Sequence, residues 1–312
     1  TPKHGLCQQT GTFQCDSASA TSCQDSSGNT IAGVALPCGT GAGQSGFPCD
    51  ETCDGQDNDC DGVVDEPFHD KGPDETYWVK PSVVKLGAAN VWMFRYEASR
   101  PNATQTSAGT GNGWWRSSSY LSNQPSTPSG TTLDKTPACS VSGKVPWFNI
   151  SGLEAQHVCR EMGGRLCRNS EWQTACRSSS TSCDWSFASN CSTFNTTTNW
   201  TTCNLGPYDF DSGAAGNQDG LLTTGFLTNC RANWGSTTAR INDLTGNLRE
   251  LTCPGTSACT STTNNFVLMG GAFNTADPTG EGAACDFTFY NVDDSFKLFD
   301  VGFRCCFDSN PS

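Results

Sequence analysis

Acidic side chains alternate along a short segment near the N-terminus, in a pattern suited to binding a cation. The positions match the first part of an EF-hand calcium loop, which takes side-chain oxygens at places 1, 3, 5 and 9 and a backbone carbonyl at place 7. The matching residues are Asp57, Asp59, Asp61, Val63 and Asp65. Gly62 permits the sharp turn at place 6. Phe68 stands where the loop carries its bidentate glutamate, so Glu66 or Asp70 would have to replace it.

The ligand chemistry of this segment favours calcium. All of its ligands are hard oxygens, which suit calcium better than copper or zinc. Five carboxylates lie between residues 57 and 66, and they would repel one another without a cation. The alternative is an acidic turn that water alone solvates. Cys53 and Cys60 flank the segment, and we expect them to form a disulfide there.

The cysteine content indicates the redox environment of the protein. The chain has 20 cysteines, no Cys-x-x-Cys pair and only three histidines, His4, His69 and His157. We therefore expect no zinc or haem site, and we predict an oxidised, secreted protein with up to ten disulfides. The chain starts at Thr1 without a charged and apolar leader, which we interpret as the start of a mature secreted product.

Charge and hydropathy exclude several classes of partner. The 312 residues carry 18 Lys and Arg against 31 Asp and Glu, which gives a net charge of −13. An acidic chain without a basic stretch is not expected to bind nucleic acid or an anionic membrane. No run of about 18 apolar residues occurs, so we expect no membrane-spanning helix.

The composition divides the chain into two regions. Residues 1–70 hold seven cysteines and little apolar periodicity, whereas residues 75–312 hold thirteen cysteines and the periodic apolar segments. We predict a Cys-rich N-terminal region and a larger C-terminal domain, joined between Pro67 and Pro73. Because both cysteine counts are odd, we expect a disulfide to cross between the regions. The alternative is a free or intermolecular cysteine in each.

Few regular elements are predicted in the second region. Ser151 and Glu154 form a capping box at the start of a helix that Gly163 ends. A second short helix is expected with Ser170 as its N-cap. Short strands are predicted at residues 91–96 and 266–269. Two helices, short strands and long polar loops indicate an α+β domain stapled by disulfides.

Four segments of the second region occur in a characteristic order. They are Arg95-Tyr-Glu-Ala-Ser-Arg100, Pro146-Trp-Phe-Asn-Ile-Ser151 continuing to Trp172, Asn242-Asp-Leu-Thr-Gly-Asn-Leu-Arg-Glu250, and Met269-Gly-Gly-Ala-Phe273 with Gly302-Phe-Arg-Cys305. Together they resemble the sulfatase-modifying-factor family, which includes the formylglycine-generating enzyme. The resemblance covers about residues 75–308 and implies a disulfide-rich, loop-rich C-type-lectin-like domain of the α+β class. Separately, the acidic segment is similar to a cysteine-flanked MopE-type repeat of secreted bacterial proteins.

The resemblance also implies disulfide partners. Two cysteines near the helices match family positions that pair with cysteines near the C-terminus. The implied bonds are Cys159–Cys305 and Cys176–Cys285. Cys167 and Cys306 are additional to the family pattern and could pair with each other.

Two calcium sites are implied by the same resemblance, each combining side-chain and backbone oxygens. The first set is Asp243, Gly246, Leu248 and Glu250, and the second is Asn204, Leu205, Asp219 and Leu221. Asp243 and Glu250 around a glycine-containing turn would also form a reasonable oxygen cage on chemical grounds alone. The alternative is that these two carboxylates only cap the turn.

The catalytic residues of the family are not matched. The formylglycine-generating enzymes use two cysteines, which, counted from Gly271, would fall at Thr275 and Gly280. Neither residue is a thiol, and no Gly-x-Ser-x-Gly or His-Glu-x-x-His motif occurs. We therefore predict a protein that is not an enzyme, with a formylglycine-generating-type oxidase as a remote alternative.

Two non-enzymatic functions fit this pattern. The first is a calcium-stabilised structural subunit of an extracellular fibre or coat that self-assembles into a homopolymer at the bacterial cell surface. The second is a monomeric adhesin that binds a glycan or a peptide through the loops of the C-terminal domain. Aromatic residues in those loops, Trp114 with Trp115 and Phe287 to Tyr290, could contact either kind of partner.

Overall fold

The regular elements are short and are separated by long loops. The computed structural model describes residues 11–17, 20–25, 51–55, 65–68, 78–109, 137–178, 183–188, 190–195, 199–206, 208–209, 213, 219–235, 239–260, 263–277 and 279–311, the first two ranges in backbone only. The helices are α1 (Gly152–Glu161) and α2 (Asn169–Arg177), with a 3-10 turn at Glu281–Ala283. The strands are β1 (Gly11–Ser17), β2 (Ala20–Asp25), β3 (Val83–Lys85), β4 (Trp92–Phe94), β5 (Arg165–Leu166), β6 (Arg231–Asn233), β7 (Arg240–Asn242), β8 (Arg249–Thr252), β9 (Asn265–Met269), β10 (Thr288–Asp293), β11 (Val301–Phe303) and β12 (Cys305–Phe307).

Two four-stranded sheets form the main body. One has the strand order β10-β9-β8-β11, and the other has the order β3-β4-β12-β5. Strands β11 and β12 are consecutive in the chain but belong to different sheets, and only Arg304 separates them. The chain therefore crosses between the sheets at Arg304, which is completely buried.

The core fills the space around these sheets. Trp147 and Phe303 are fully buried and meet edge to face, with their ring centroids 5.8 Å apart. Phe266 of β9 packs so closely on α1 that a Cβ atom on Gly152 would lie 2.3 Å from its ring. The first turn of α1 therefore requires glycine at position 152.

Helix α1 begins as predicted. The backbone N–H of Glu154 donates to the Ser151 hydroxyl at 3.3 Å, and the backbone N–H of Ser151 donates to the Glu154 carboxylate at 2.9 Å. These two bonds satisfy N–H groups that have no partner inside the helix. The helix ends before Gly163, whose φ of +75° suits a residue without a Cβ atom.

Helix α2 differs from the prediction at its start. Its N-cap is Arg168 rather than Ser170, and the Glu171 carboxylate accepts the Arg168 backbone N–H at 3.0 Å. Ser170 lies inside the helix, where its hydroxyl instead donates to the carbonyl oxygen of Gly255 at 3.0 Å. Trp172 of α2 faces the core and is fully buried.

The strand predictions hold with adjusted bounds. Strand β9, at Asn265–Met269, confirms the strand expected at 266–269, while the segment expected at 91–96 contains the shorter strand β4. Residues 79–309 thus form the disulfide-rich α+β domain that was predicted. No helix in the described part of the chain is both long and apolar enough to cross a bilayer.

Most of the predicted disulfides are present. Cys159–Cys305 and Cys176–Cys285 form as the resemblance implied, and Cys167 pairs with Cys306. Two further bonds that were not predicted, Cys203–Cys230 and Cys253–Cys259, staple the loops.

One disulfide prediction is wrong. Cys53 does not bond to Cys60 but to Cys139, 86 residues along the chain, with the two Cα atoms 5.6 Å apart. This bond joins the N-terminal region to the C-terminal domain, which confirms the expected disulfide between the regions. Cys60 itself lies outside the described residues. Pairing by proximity in the sequence failed because the chain near Cys53 packs against the C-terminal domain.

Candidate functional site

Three carboxylates are buried together where the two sheets meet. Asp243 and Glu250 lie at either end of the turn that connects β7 to β8, and Glu97 follows β4. None of the three is more than 5% exposed. A tight turn brings them together, because Gly246 has a φ of +77° and a Cβ atom there would lie 2.4 Å from the carbonyl oxygen of Asn204.

Arg304 is the cation that faces this cluster. Its Nε atom donates to Glu250 at 2.7 Å, and its Nη1 atom donates to the carbonyl oxygen of Arg95 at 3.0 Å. Its Nη2 atom donates to the carbonyl oxygen of Asn242. The second carboxylate oxygen of Glu250 accepts from Trp172 Nε1 at 2.8 Å. Both oxygens of Glu250 thus have donors from the protein itself.

The other two carboxylates are held mainly by amides. Glu97 accepts from the backbone N–H of Leu248 at 3.0 Å and from Asn247 Nδ2 at 2.6 Å. Asp243 accepts from the backbone N–H of Gly225 at 2.6 Å. Burial raises the pKa of Asp243 to about 7 and also raises the pKa of Glu97 and of Glu250. Low solvation therefore disfavours three charges here at once.

The charge of the cluster would suit a divalent cation, but the arrangement of its side chains does not by itself form a metal site. When all three carboxylates are ionised, one guanidinium leaves an excess of two negative charges. However, no group of three or more His, Cys, Asp or Glu side chains in the described ranges is arranged to hold a metal ion. A cation at the predicted Asp243, Gly246, Leu248 and Glu250 set would therefore depend on its backbone carbonyls, as the family pattern implies.

The second predicted set contains an oxygen without a donor. Asn204 is buried, and its Nδ2 atom donates to the carbonyl oxygen of Gly220 at 2.8 Å and to Asn247 Oδ1 at 2.9 Å. These two acceptors fix the orientation of the amide, so Oδ1 points elsewhere. Among the described residues Oδ1 has no hydrogen-bond partner. A buried carbonyl oxygen without a donor is costly, and a bound cation would satisfy it.

The structure brings the two segments of this second set next to each other. The bond from Asn204 to Gly220 puts Asn204 and Leu205 beside Asp219 and Leu221, which flank Gly220 in sequence. Leu205 is fully buried and Asp219 is exposed. A buried amide, an exposed carboxylate and two backbone carbonyls are the donor types that calcium takes at a protein surface.

Asn247 connects the two sets and was not assigned a role from the sequence. Its backbone N–H donates to the carbonyl oxygen of Asn204 at 2.8 Å. Its side chain accepts from Asn204 and donates to Glu97. Asn247, Glu97 and Arg304 all lie inside the motifs that carry the family resemblance, which is the signal that could have identified them.

The acidic segment of the N-terminal region is described only at one predicted ligand. Asp65 is 1% exposed, and its carboxylate accepts the backbone N–H groups of Asp54 at 2.9 Å and Gly55 at 2.8 Å. Burial raises its pKa to about 7. Asp65 therefore closes the turn at 53–55 by hydrogen bonds. The other predicted ligands, Asp57, Asp59, Asp61 and Val63, lie outside the described residues, as do Trp114 and Trp115.

The two positions that match the catalytic cysteines of the family enzymes are filled by packing and hydrogen bonds. The Thr275 hydroxyl accepts from the backbone N–H of Ala272 at 2.9 Å and from Arg249 Nη2 at 3.2 Å. The carbonyl oxygen of Gly280 accepts from Trp185 Nε1 at 2.9 Å. The ring of Phe194 lies 2.3 Å from the place of a Cβ atom on Gly280, so no larger residue fits there.

Three exposed large side chains belong to the two segments that contact Arg249, and we call them the aromatic face: Tyr290, Leu298 and Phe299. Tyr290 is 59% exposed and Phe299 is 56% exposed. Beneath them, the guanidinium of Arg249 lies 3.9 Å from the ring centroid of Phe289 and forms an ion pair with buried Asp300. The aromatic face therefore rests on a closed polar network.

The match to a family model agrees with this architecture. Residues 79–309 match the family model described as the sulfatase-modifying factor enzyme 1-like domain. Variable protein 1 of Treponema denticola is similar in structure, with 13% identity over 74% of this chain and 92% of its own and a TM-score of 0.36. CarF is similar with 13% identity over 69% of this chain and 85% of its own and a TM-score of 0.34. No curated protein sequence matches significantly. Because the family model spans most of its length, the chain belongs to the sulfatase-modifying factor enzyme 1-like family.

Proposed function

We propose that this protein is a non-catalytic member of its family. The observation that carries the proposal is the identity and the contacts of the residues at positions 275 and 280. Thiol chemistry needs a thiolate at an accessible place. Thr275 instead accepts two hydrogen bonds, and Gly280 is covered by Phe194 and Trp185. Positions 275 and 280 therefore offer a substrate neither a thiol nor space.

The further proposal is that the protein is a structural subunit of an extracellular fibre or coat, and that the aromatic face makes the subunit contact. Exposed aromatic patches of this kind mark interaction sites. The polar groups under the face are used internally, since Arg249 bonds to Asp300, Asn274 and Thr275. A glycan needs free donors and acceptors around its hydroxyl groups, whereas an apolar protein surface does not. This argument favours a protein partner, and a second copy is the simplest one.

The contact is expected to use side chains rather than strand addition. Strand β10 forms one edge of its sheet among the described strands, and its register with β9 shifts between Thr288 and Asn291. A β-bulge at a sheet edge interferes with pairing to another strand and redirects side chains outward. Tyr290 lies within this shifted segment, which accounts for its exposure.

Two features support an extracellular location and calcium stabilisation as parts of the proposal. The six described disulfides would not persist in a reducing cytosol. Asn204 Oδ1 is a buried oxygen that calcium would satisfy. Calcium here would act as a structural ion that holds the 204–205 and 219–221 segments together.

Electron microscopy and sedimentation of the natively secreted protein test the assembly proposal. We expect regular filaments or sheets for the wild type, and their loss in the double variant Tyr290→Ser with Phe299→Ser. The matched control is Phe226→Ser, since Phe226 is 57% exposed but lies outside the aromatic face. Discrete monomers of the wild type, with and without calcium, would overturn the assembly proposal.

That monomeric outcome would support the second candidate, an adhesin for a peptide or glycan. The observation in its favour is the same exposed Tyr290, because a tyrosine ring can also stack on a sugar. Binding to an array of glycans and peptides, lost in the Tyr290→Ser variant, would identify this function.

The non-catalytic proposal has a separate test. A peptide carrying the cysteine motif of a sulfatase is incubated with the protein, copper and oxygen, and its mass is followed. We expect no change in the mass of the peptide. Conversion of its cysteine to an aldehyde would refute the proposal.

A further inference from the structure

Two cysteines lie close together without a disulfide in a loop beside Gly280. The backbone N–H groups of Asp184 and Trp185 both donate to the carbonyl oxygen of Cys191, at 2.8 and 2.9 Å. These bonds bring Cys183, the residue before Asp184, next to Cys191. Cys183 and Cys191 are the free cysteines of the described part of the chain.

The two thiols differ in their access to solvent. Cys183 is buried at 3% exposure, whereas Cys191 is partly exposed. Burial, followed by a hydrogen bond to the Cys191 side chain, raises the pKa of the Cys183 thiol. The two backbone hydrogen bonds to the Cys191 carbonyl oxygen hold the residues after Cys183 against Cys191. The pair thus consists of one protonated inner thiol and one outer thiol that a reagent can reach.

We propose that Cys183 and Cys191 form a reversible disulfide that locks the loop covering Gly280. The bond would close residues 183–191 into a ring, whose two ends are already joined by backbone hydrogen bonds. Disulfide formation requires the two Cα atoms to be within about 7 Å, and the backbone hydrogen bonds from Asp184 and Trp185 to Cys191 keep this part of the chain closed. This inference does not depend on the proposed subunit function.

The chemistry is thiol–disulfide exchange with an external disulfide, from a small molecule or an oxidoreductase. The Cys191 thiolate attacks one sulfur of that disulfide, forms a mixed disulfide and expels the first thiolate. Cys183 then loses its proton to solvent, attacks the Cys191 sulfur and expels the second thiolate. The two protein thiols lose two electrons and two protons, and the external disulfide is reduced to two thiols.

The ring would hold the residues that fill the catalytic position of the family. Trp185 lies inside it and donates to the carbonyl oxygen of Gly280. Phe194 follows it, covers Gly280 and lies 5.6 Å from Trp185 between ring centroids. The carbonyl oxygen of Asp184 accepts the backbone N–H of Cys285 at 2.8 Å. Oxidation of the pair therefore stiffens the cover, and reduction loosens it.

Most of the other disulfides are less accessible to solvent than this pair of cysteines. Both cysteines are buried in every described disulfide except Cys253–Cys259, whose Cys259 is only partly buried. A reductant under native conditions should therefore open Cys183–Cys191 and Cys253–Cys259 before the others.

Thiol counting after denaturation without reductant provides the test. If the bond exists, Cys191→Ser leaves Cys183 alone and raises the thiol count by one relative to the wild type. If both thiols are free in the wild type, the same change lowers the count by one. Cys259→Ser is the control and should raise the count by one, because Cys259 is bonded to Cys253.

Peptide mapping of the wild type keeps the inference testable if these variants do not fold. Digestion without reductant, after blocking of free thiols, should give the segments containing Cys183 and Cys191 as one linked product. The linked product should disappear early in a native titration with reductant, before products containing Cys159–Cys305. Blocked Cys183 and Cys191 in the unreduced protein, or a bond from either to another cysteine, would overturn the inference.

Discussion

The two predicted calcium sets lie side by side and are joined by Asn247. They differ in the hydrogen-bond donors that the protein provides to their side-chain oxygens. The carboxylate of Glu250 in the first set receives a buried guanidinium from Arg304 and an indole N–H from Trp172. The amide oxygen of Asn204 in the second set receives no donor in the described structure. The side chain of Glu250 is thus satisfied by protein contacts, whereas the second set leaves one buried oxygen without a donor among the described residues.

A buried guanidinium can thus provide part of the charge neutralisation that a bound cation would otherwise provide. Arg304 lies between two consecutive strands of different sheets, so one guanidinium reaches both the carboxylate cluster and the backbone carbonyls around it. It neutralises one charge of three.

Removing the guanidinium should have the largest effect. Arg304→Met leaves Glu97, Asp243 and Glu250 buried without their cation, and breaking a buried ion pair on one side costs about 3–5 kcal/mol. We expect the free energy of unfolding to fall by about that amount in a denaturant titration. Arg231→Met is the control, since the guanidinium of Arg231 donates to a carbonyl oxygen at the surface and its loss should change stability by less than about 0.5 kcal/mol. Equal losses in both variants would contradict the role given to Arg304.

Removal of calcium should have an intermediate effect. A ligand of the native state stabilises by about 2.7 kcal/mol at 100 times its dissociation constant, and about 2–4 °C of melting temperature corresponds to each kcal/mol. We expect chelation to lower the melting temperature by several degrees in the wild type and by less in Asn204→Ala. Asn291→Ala, at an exposed position of β10, should keep the full response. An unchanged wild-type melt in excess chelator would remove calcium from the proposal.

A further prediction concerns the pH dependence of Asp65, a buried carboxylate that accepts two backbone N–H groups. Its pKa is raised from 3.8 to about 7 in the folded protein, so the native state binds a proton that the unfolded state has lost. The free energy of unfolding should therefore fall as the pH rises between about 4 and about 7, by on the order of 1.4 kcal/mol per pH unit at most.

The measurement is a series of denaturant titrations in chelator across this pH range. Asp65→Asn removes one titrating group and should make the profile less steep; the slope that remains comes from Asp243, Glu97 and Glu250, whose pKa values are also raised by burial. The Asp308→Asn variant is the control, because contact with Arg165 lowers the pKa of Asp308 and its titration lies below this range. A wild-type profile that rises with pH through this range would show that Asp65 is not the dominant group.

The sequence was sufficient for the domain and for much of its covalent framework. The capping box at Ser151 depends on residues three apart, and the bonds Cys159–Cys305 and Cys176–Cys285 follow from a shared family pattern. Such features can be predicted because they depend either on local geometry or on a pattern that the family shares. The start of α2 was missed by two residues because Glu171 reaches back to Arg168, whereas Ser170 is the more usual N-cap type.

The remainder could not be predicted because it depends on contacts between distant parts of the chain. Asn247 meets Glu97 across 150 residues, and Cys53 meets Cys139 across 86. Nothing in the spacing of these residues indicates such contacts. The cover over Gly280 is of the same kind, since Phe194 reaches it from a loop that carries no recognisable motif.

The adjacent cysteines of β12 have a consequence for oxidative folding. Cys305 bonds to Cys159 of α1, and Cys306 bonds to Cys167 just before α2. Neighbouring residues of a strand point to opposite sides, so exchanging the two partners would require β12 to slip by one residue. That slip would turn Phe307 out of the core, where it is buried against Phe94. Burial of one phenylalanine thus selects between two pairings with equal numbers of bonds.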